Sequence, residues 1–160
     1  MQHKKLAAIA ITGLVLAGCT SGSSSTTTTS SATGGSSVTN SAAGTAQWIA
    51  KNKSTVSDLG SDITSLAGAL PSAISSGSVS SLTAGCQKLA TDVATAKALP
   101  PIPNATAQQR WTELLTKLDS ASKKCTNGVS KDNTNKLSKA QTEISDSNGI
   151  LSSLNTSLGL

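Results

Sequence analysis

Four stretches of the chain carry apolar residues at alternating spacings of three and four, and this pattern constrains the fold more than any other feature. The stretches begin at Ile49, Val79, Ala107 and Leu137. Such spacing places an apolar seam along one side of a helix. No stretch shows the period-two alternation, rich in β-branched or aromatic residues, that is typical of strands. The sequence therefore predicts an all-α fold, an up-down four-helix bundle.

Short segments rich in Pro, Gly and Asn separate the four stretches and predict the turns between the helices. These separators are Pro71 with Gly77, Pro100 to Pro103, and Asn127 with Gly128. The third helix is expected to begin after a cap at Asn104, or at Thr106 in a capping box with Gln109. Each predicted helix is therefore bounded by residues that stop or start helices.

The core must be built almost without aromatic side chains, since the chain has no Phe, no Tyr and two Trp. Trp111 lies in the third seam, so we expect it to pack in the core. Trp48 lies at the start of the first seam, where it would either pack or form an exposed contact with a partner. Aliphatic side chains bury less area than aromatic rings, so we expect modest stability.

The amino-terminal residues have the layout of a secretory signal. Lys4 and Lys5 precede an apolar run, Leu6 to Ala17, that is too short to cross a bilayer comfortably. The following Leu16-Ala17-Gly18-Cys19 resembles the lipobox of bacterial lipoproteins. That resemblance implies cleavage before Cys19 and attachment of diacylglycerol, with palmitate-type chains, to its thiol. A cysteine in an ordinary signal sequence is the alternative.

A polar segment separates this motif from the helical stretches. Of the 22 residues from Thr20 to Ser41, 16 are Ser or Thr and three are Gly, a composition that cannot form a core. We interpret it as a disordered tether, which could also accept O-linked glycans. The predicted organisation is a lipoprotein signal peptide over residues 1–18, a lipidated Cys19 with its tether over residues 19–41, and a bundle domain over residues 42–160. The expected location is outside the cytoplasm, anchored by lipid to the cell membrane or the outer membrane.

Two cysteines remain for the bundle once Cys19 carries lipid. In an oxidising compartment Cys86 and Cys125 are expected to form one disulfide. The predicted helix lengths are consistent with this disulfide. The extended Pro-Pro-Ile-Pro segment lets the third helix begin far enough beyond the second to bring both cysteines level. Metal binding is a weak alternative, since the single histidine, His3, is lost with the signal.

A second resemblance concerns the segment that these cysteines enclose. The run from Cys86 to Cys125, with Leu89, Pro-Pro-Ile-Pro and Trp111, resembles small cell-envelope lipoproteins of actinobacteria. Most of those proteins are uncharacterised. The resemblance therefore implies a cellular setting and no activity.

The residues that remain after export offer little for catalysis. Without histidine, the usual Ser-His and Cys-His nucleophile systems cannot be assembled. Asp58 and Asp62 stand four apart and could bind a cation or do acid-base work, although a solvated helix face is the simpler interpretation. No glycine-rich phosphate loop or other cofactor motif is present. We expect no enzyme activity, no cofactor and no metal.

Charge leaves one candidate surface. The net charge of +5 falls to +3 without Lys4 and Lys5, too weak and too scattered for nucleic acid. Lysines concentrate between residues 117 and 139, and the candidate partner-binding residues are Lys124, Lys131, Lys136 and Trp48. Two functions follow as hypotheses: a non-catalytic module that binds an envelope protein or acidic polymer, and a carrier of a small apolar ligand in the bundle interior. A merely solvated corner is the alternative for the lysines.

Overall fold

A computed structural model describes the backbone of residues 37–159 and the side chains of residues 42–159. The elements are α1 (Ser37–Ser76), a 3₁₀ turn (Val79–Leu82), α2 (Thr83–Lys97), α3 (Ala105–Ser130) and α4 (Thr134–Leu158). The predicted signal peptide and Cys19 lie outside the described residues, as does most of the predicted tether, within which α1 begins. None of the helices described is long and apolar enough to cross a membrane.

The four helices form an up-down bundle, as the seams predict. Helix α1 contacts α2 and α4, α3 contacts the same two helices, and the backbones of diagonal helices do not meet within the described part of the chain. One end, which we call the tryptophan end, holds Trp48 of α1 and Trp111 of α3. The opposite end, which we call the lysine end, holds Lys131, Lys136 and Lys139.

Asparagine side chains start the last two helices. The Oδ1 atom of Asn104 accepts a hydrogen bond from the backbone N–H of Ala107 at 2.9 Å. Asn133 caps α4 in the same way through the N–H of Lys136 at 3.0 Å. Each bond satisfies one of the orphan donors at a helix start. The structure thus selects Asn104 over Thr106 as the cap of the third helix.

Two predicted separators lie inside helices. Pro71 is part of α1, which ends only at Ser76, and Gly77 then adopts a left-handed φ of 71°. Asn127 and Gly128 are the other exception, because α3 continues to Ser130. The prediction of a break at Pro71 and at Asn127-Gly128 is therefore wrong, whereas Gly77 does end its helix.

Gly128 is present for close packing between helices. A Cβ atom at this position would lie 2.6 Å from Cδ2 of Leu137 and 3.2 Å from its backbone nitrogen. The missing side chain lets α4 approach α3 directly after the turn. The sequence correctly marks position 128 as one that requires glycine. The requirement comes from the contact between α3 and α4, however, and not from the geometry of a turn.

The core follows the predicted seams, and the predicted disulfide is confirmed. Cys86 and Cys125 are fully buried and bonded to each other, with Cα atoms 5.6 Å apart. Three seam residues depart from the pattern: Ile49, Val56 and Leu158 are only partly buried. The bundle therefore leaves part of its apolar seam uncovered.

Hydroxyl side chains on the helix surfaces bond back to their own helices. Thr64 donates to the carbonyl of Gly60 at 2.9 Å, and Ser153 donates to that of Gly149 at 3.1 Å. The same bond four residues back recurs on every helix, as in Thr95 and Thr116. Much of the exposed surface is thus made of hydroxyls that already have a partner.

Candidate functional site

Trp48 is a packing residue and only 5% of it is exposed. Its ring meets that of Trp111 edge to face, with centroids 5.7 Å apart and planes at 77°. Its Nε1–H donates to the carbonyl oxygen of Pro100 at 2.7 Å, which joins α1 to the α2–α3 loop. Of the two interpretations left open by the sequence, the structure supports packing over an exposed contact.

An apolar groove of about 360 Å³ runs along the surface between α1 and α4, beginning beside Trp48. The groove contains the three seam residues that the bundle leaves partly exposed. Its walls are formed by Trp48, Ile49, Lys53, Val56, Ser57, Gly60, Leu151, Asn155 and Leu158. A cleft of this volume falls in the range of small-ligand sites.

Two polar residues line this groove from different helices. Among the residues that line it, Lys53 is the one with a charge, and it forms no ion pair within residues 42–159. On the α4 wall, the buried Oδ1 atom of Asn155 has no hydrogen-bond donor. Neither residue was among the site residues predicted from the sequence. The sequence feature that could have indicated this groove is a gap in the first seam, where Asn52 and Lys53 stand between Ile49 and Val56.

Asp58 and Asp62 do not form a carboxylate pair on a solvated face. Asp58 is exposed, whereas Asp62 is buried and its Oδ1 atom lies 2.7 Å from Nζ of Lys88 on α2. The same ammonium bonds Oδ2 of Asp92 at 2.6 Å. Lys88 therefore bridges two carboxylates, and in place of the candidate pair the structure has a three-residue ion network between α1 and α2.

This network separates the pKa values of its two carboxyl groups. Burial raises the pKa of Asp62 above its usual value of 3.8, despite the opposing hydrogen bond from Lys88. The hydrogen bond from Lys88 lowers the pKa of the more exposed Asp92. The two carboxylates in turn raise the pKa of the Lys88 ammonium. Asp62 is the costlier charge, because its second oxygen is buried without a donor.

Carboxylates on α4 and on α3 itself neutralise half of the lysine-rich segment. Lys124 forms an ion pair with Glu143 and donates to the Ser120 hydroxyl at 2.8 Å. Lys117 likewise pairs with Asp146 at 3.0 Å. The ammonium of Lys124, a candidate partner-binding residue, is therefore already paired, because a count along the sequence does not see carboxylates supplied by α4. Lys123 is held by Asp119 at 2.7 Å.

The lysine end keeps the remaining cations. Lys131, Lys136 and Lys139 form no ion pair within residues 42–159. Asp132, also unpaired there, lies in the same turn and offsets part of this charge. The structure thus brings together two of the three lysines predicted for partner binding and adds Lys139.

Comparisons with protein-family models, curated proteins and solved structures find no match to this chain. Within residues 42–159, no three acidic or cysteine side chains gather in an arrangement that could hold a metal ion. The functional interpretation depends on the chemistry of two surfaces, the α1–α4 groove and the lysine end.

Proposed function

We propose that this chain is a lipid-anchored envelope protein whose bundle acts as a non-catalytic binding module. The anchor is argued from Leu16-Ala17-Gly18-Cys19, which resembles a lipobox. The bond between Cys86 and Cys125 supports export, because disulfides persist in oxidising compartments. With those two cysteines joined, Cys19 is left for lipid.

The position of the unpaired lysines is the observation that carries the binding role. Helix α1 begins at the tryptophan end, and the lysine end is the opposite end of the bundle. Lys131, Lys136 and Lys139 lie at that opposite end, whereas the neighbouring lysines are held in ion pairs. Free cations attract acidic surfaces over distances of about 10 Å at ordinary ionic strength. The proposed partner is an acidic envelope polymer or the acidic face of an envelope protein.

Labelling of cells with a fatty-acid probe tests the anchor. Wild-type protein is expected to carry label and to lose residues 1–18, whereas Cys19→Ser carries neither change. Cys86→Ala with Cys125→Ala is the matched control, since it also removes thiols but keeps Cys19. Equal label on Cys19→Ser and wild type would rule out the anchor.

Photocrosslinking in cells tests the binding role. A crosslinking residue at position 139 is expected to capture a partner that the same residue at exposed position 51 does not. Lys136→Glu should weaken that capture about tenfold, because charge reversal makes an attraction repulsive. Lys51→Glu changes the net charge equally at a distant, unpaired lysine and should leave capture unchanged. Equal loss in both variants would show that overall charge, and not the lysine end, is responsible.

A second candidate function, carriage of a small apolar ligand, is favoured by one observation. The α1–α4 groove exposes apolar seam residues in a cleft of about 360 Å³. This cleft lies at the surface between two helices, so the proposed carrier site is there and not along the bundle axis.

A further inference from the structure

We propose that the α1–α4 groove binds the anion of a single-chain fatty acid. The tail lies on the apolar wall beside Trp48, Ile49 and Leu158, and the carboxylate meets the ammonium of Lys53. The site lies wholly within the described bundle. It is independent of the lysine end and does not require the lipid anchor.

The apolar wall is suited to an extended chain. Ile49, Val56 and Leu158 continue the seams that elsewhere form the core, yet they remain partly exposed at this groove. A helix rises 1.5 Å per residue, so the wall from Ser57 to Trp48 is about 14 Å long. Covering it with a hydrocarbon tail removes apolar surface from water, at about 25 cal/mol per Å².

Charge determines which kind of apolar ligand fits. Lys53 stands on the α1 wall and forms no ion pair with any described residue, and no carboxylate is among the described residues that line the groove. Asn155 lines the groove from α4, but its Oδ1 atom is buried and offers no contact there. A carboxylate head group would therefore meet the Lys53 ammonium with no negative charge among the described residues that line the groove.

The same charge argues against a second copy of the chain as the occupant. In a symmetric dimer centred on this groove, residues near the two-fold axis meet their own counterparts. Lys53 lies midway along the α1 wall, so two Lys53 ammonium groups would approach each other there. Like charges at an interface cost binding free energy. A small anionic amphiphile covers the same apolar surface and neutralises the ammonium.

Titration with dodecanoate tests the proposal, using full-length chains that carry Cys19→Ser so that no attached lipid competes. Calorimetry gives the affinity, and dodecanoate brominated at its last carbon should quench Trp48 at the end of the groove. Lys53→Glu is expected to weaken binding about tenfold or more, as expected for loss of a charge-assisted contact. Lys51→Glu, two residues away and outside the groove, is expected to change it less than twofold.

A second pair of variants tests the groove itself. Ser57→Phe places a ring in the groove from an exposed helix position and should abolish binding, while Ser54→Phe adds the same ring outside the groove and should not. Circular dichroism checks that both variants stay helical. The proposal is overturned if dodecyltrimethylammonium binds as tightly as dodecanoate, or if Ser57→Phe binds like wild type. It is also overturned if the wild type is a dimer that takes up no dodecanoate and Ser57→Phe only converts that dimer to a monomer.

Discussion

The two ends of the bundle are held by different chemistry. At the tryptophan end, the only two aromatic side chains of the sequence meet, and an indole N–H ties α1 to the α2–α3 loop. Toward the lysine end, a covalent bond joins α2 to α3, and a glycine lets α3 and α4 touch. Weak aliphatic packing is thus reinforced at both ends. The difference teaches that a chain with few aromatic residues can stabilise one end by ring packing and the other by a crosslink.

Removal of the crosslink should have the largest effect. The double variant Cys86→Ala with Cys125→Ala is expected to lose about 4 kcal/mol of stability, since the bond closes a 39-residue separation in the unfolded chain. The melting temperature should fall by about 15 °C. Calorimetry on oxidised wild type and the double variant measures this. A fall of less than about 3 °C would mean that the lysine end does not depend on its crosslink.

Loss of the aromatic contact should come next. Trp48→Ala is expected to cost about 3 kcal/mol, below the upper values for buried rings because water can enter from the adjoining groove. Trp48→Phe is the control: it keeps a ring but loses the hydrogen bond to Pro100, at about 1 kcal/mol. Urea unfolding of both variants gives the two values. Equal costs would show that the indole N–H, and not the ring, fixes the tryptophan end.

A smaller effect with opposite signs is expected at two helical glycines. Gly128→Ala should destabilise by about 2 kcal/mol, because its Cβ would collide with Leu137. Gly149→Ala on α4 should stabilise by about 0.5–1 kcal/mol, because nothing lies within 4 Å of the new Cβ and alanine favours helix. Urea midpoints that shift in the same direction would contradict the close approach at Gly128.

The smallest effect concerns pH and the ion network between the ends. Because the folded pKa of Asp62 is raised, its contribution to stability is present below pH 3.8 and is lost as pH rises through the raised value. Asp92 has a lowered pKa, so its contribution is present above pH 3.8 and is lost as pH falls through the lowered value.

Two asparagine variants separate these contributions in urea unfolding between pH 2 and pH 7. Relative to wild type, Asp62→Asn should become more stable as pH rises, whereas Asp92→Asn should become less stable. Parallel pH profiles for the two variants would contradict the opposite assignments.

Local patterns predicted the fold because most of it is determined locally. Seam spacing predicted the helices, Asn104 was a candidate cap, and the even number of remaining cysteines predicted the disulfide. The features that the sequence did not predict depend on residues that are neighbours in space and not along the chain. The sequence could not show that Glu143 neutralises Lys124, or that Gly128 serves the contact with α4. The candidate groove lay where the first seam was interrupted, and that interruption was visible in the sequence.

The back-bonded hydroxyls on the helices have a consequence for solubility and salt response. Only 13% of the residues are charged, about half the usual share, so most of the surface contributes little to the electric field around the protein. The few lysines that form no ion pair within residues 42–159 then dominate that field at long range. Association through them should weaken steeply between low and physiological salt, whereas apolar association along α1 and α4 should not.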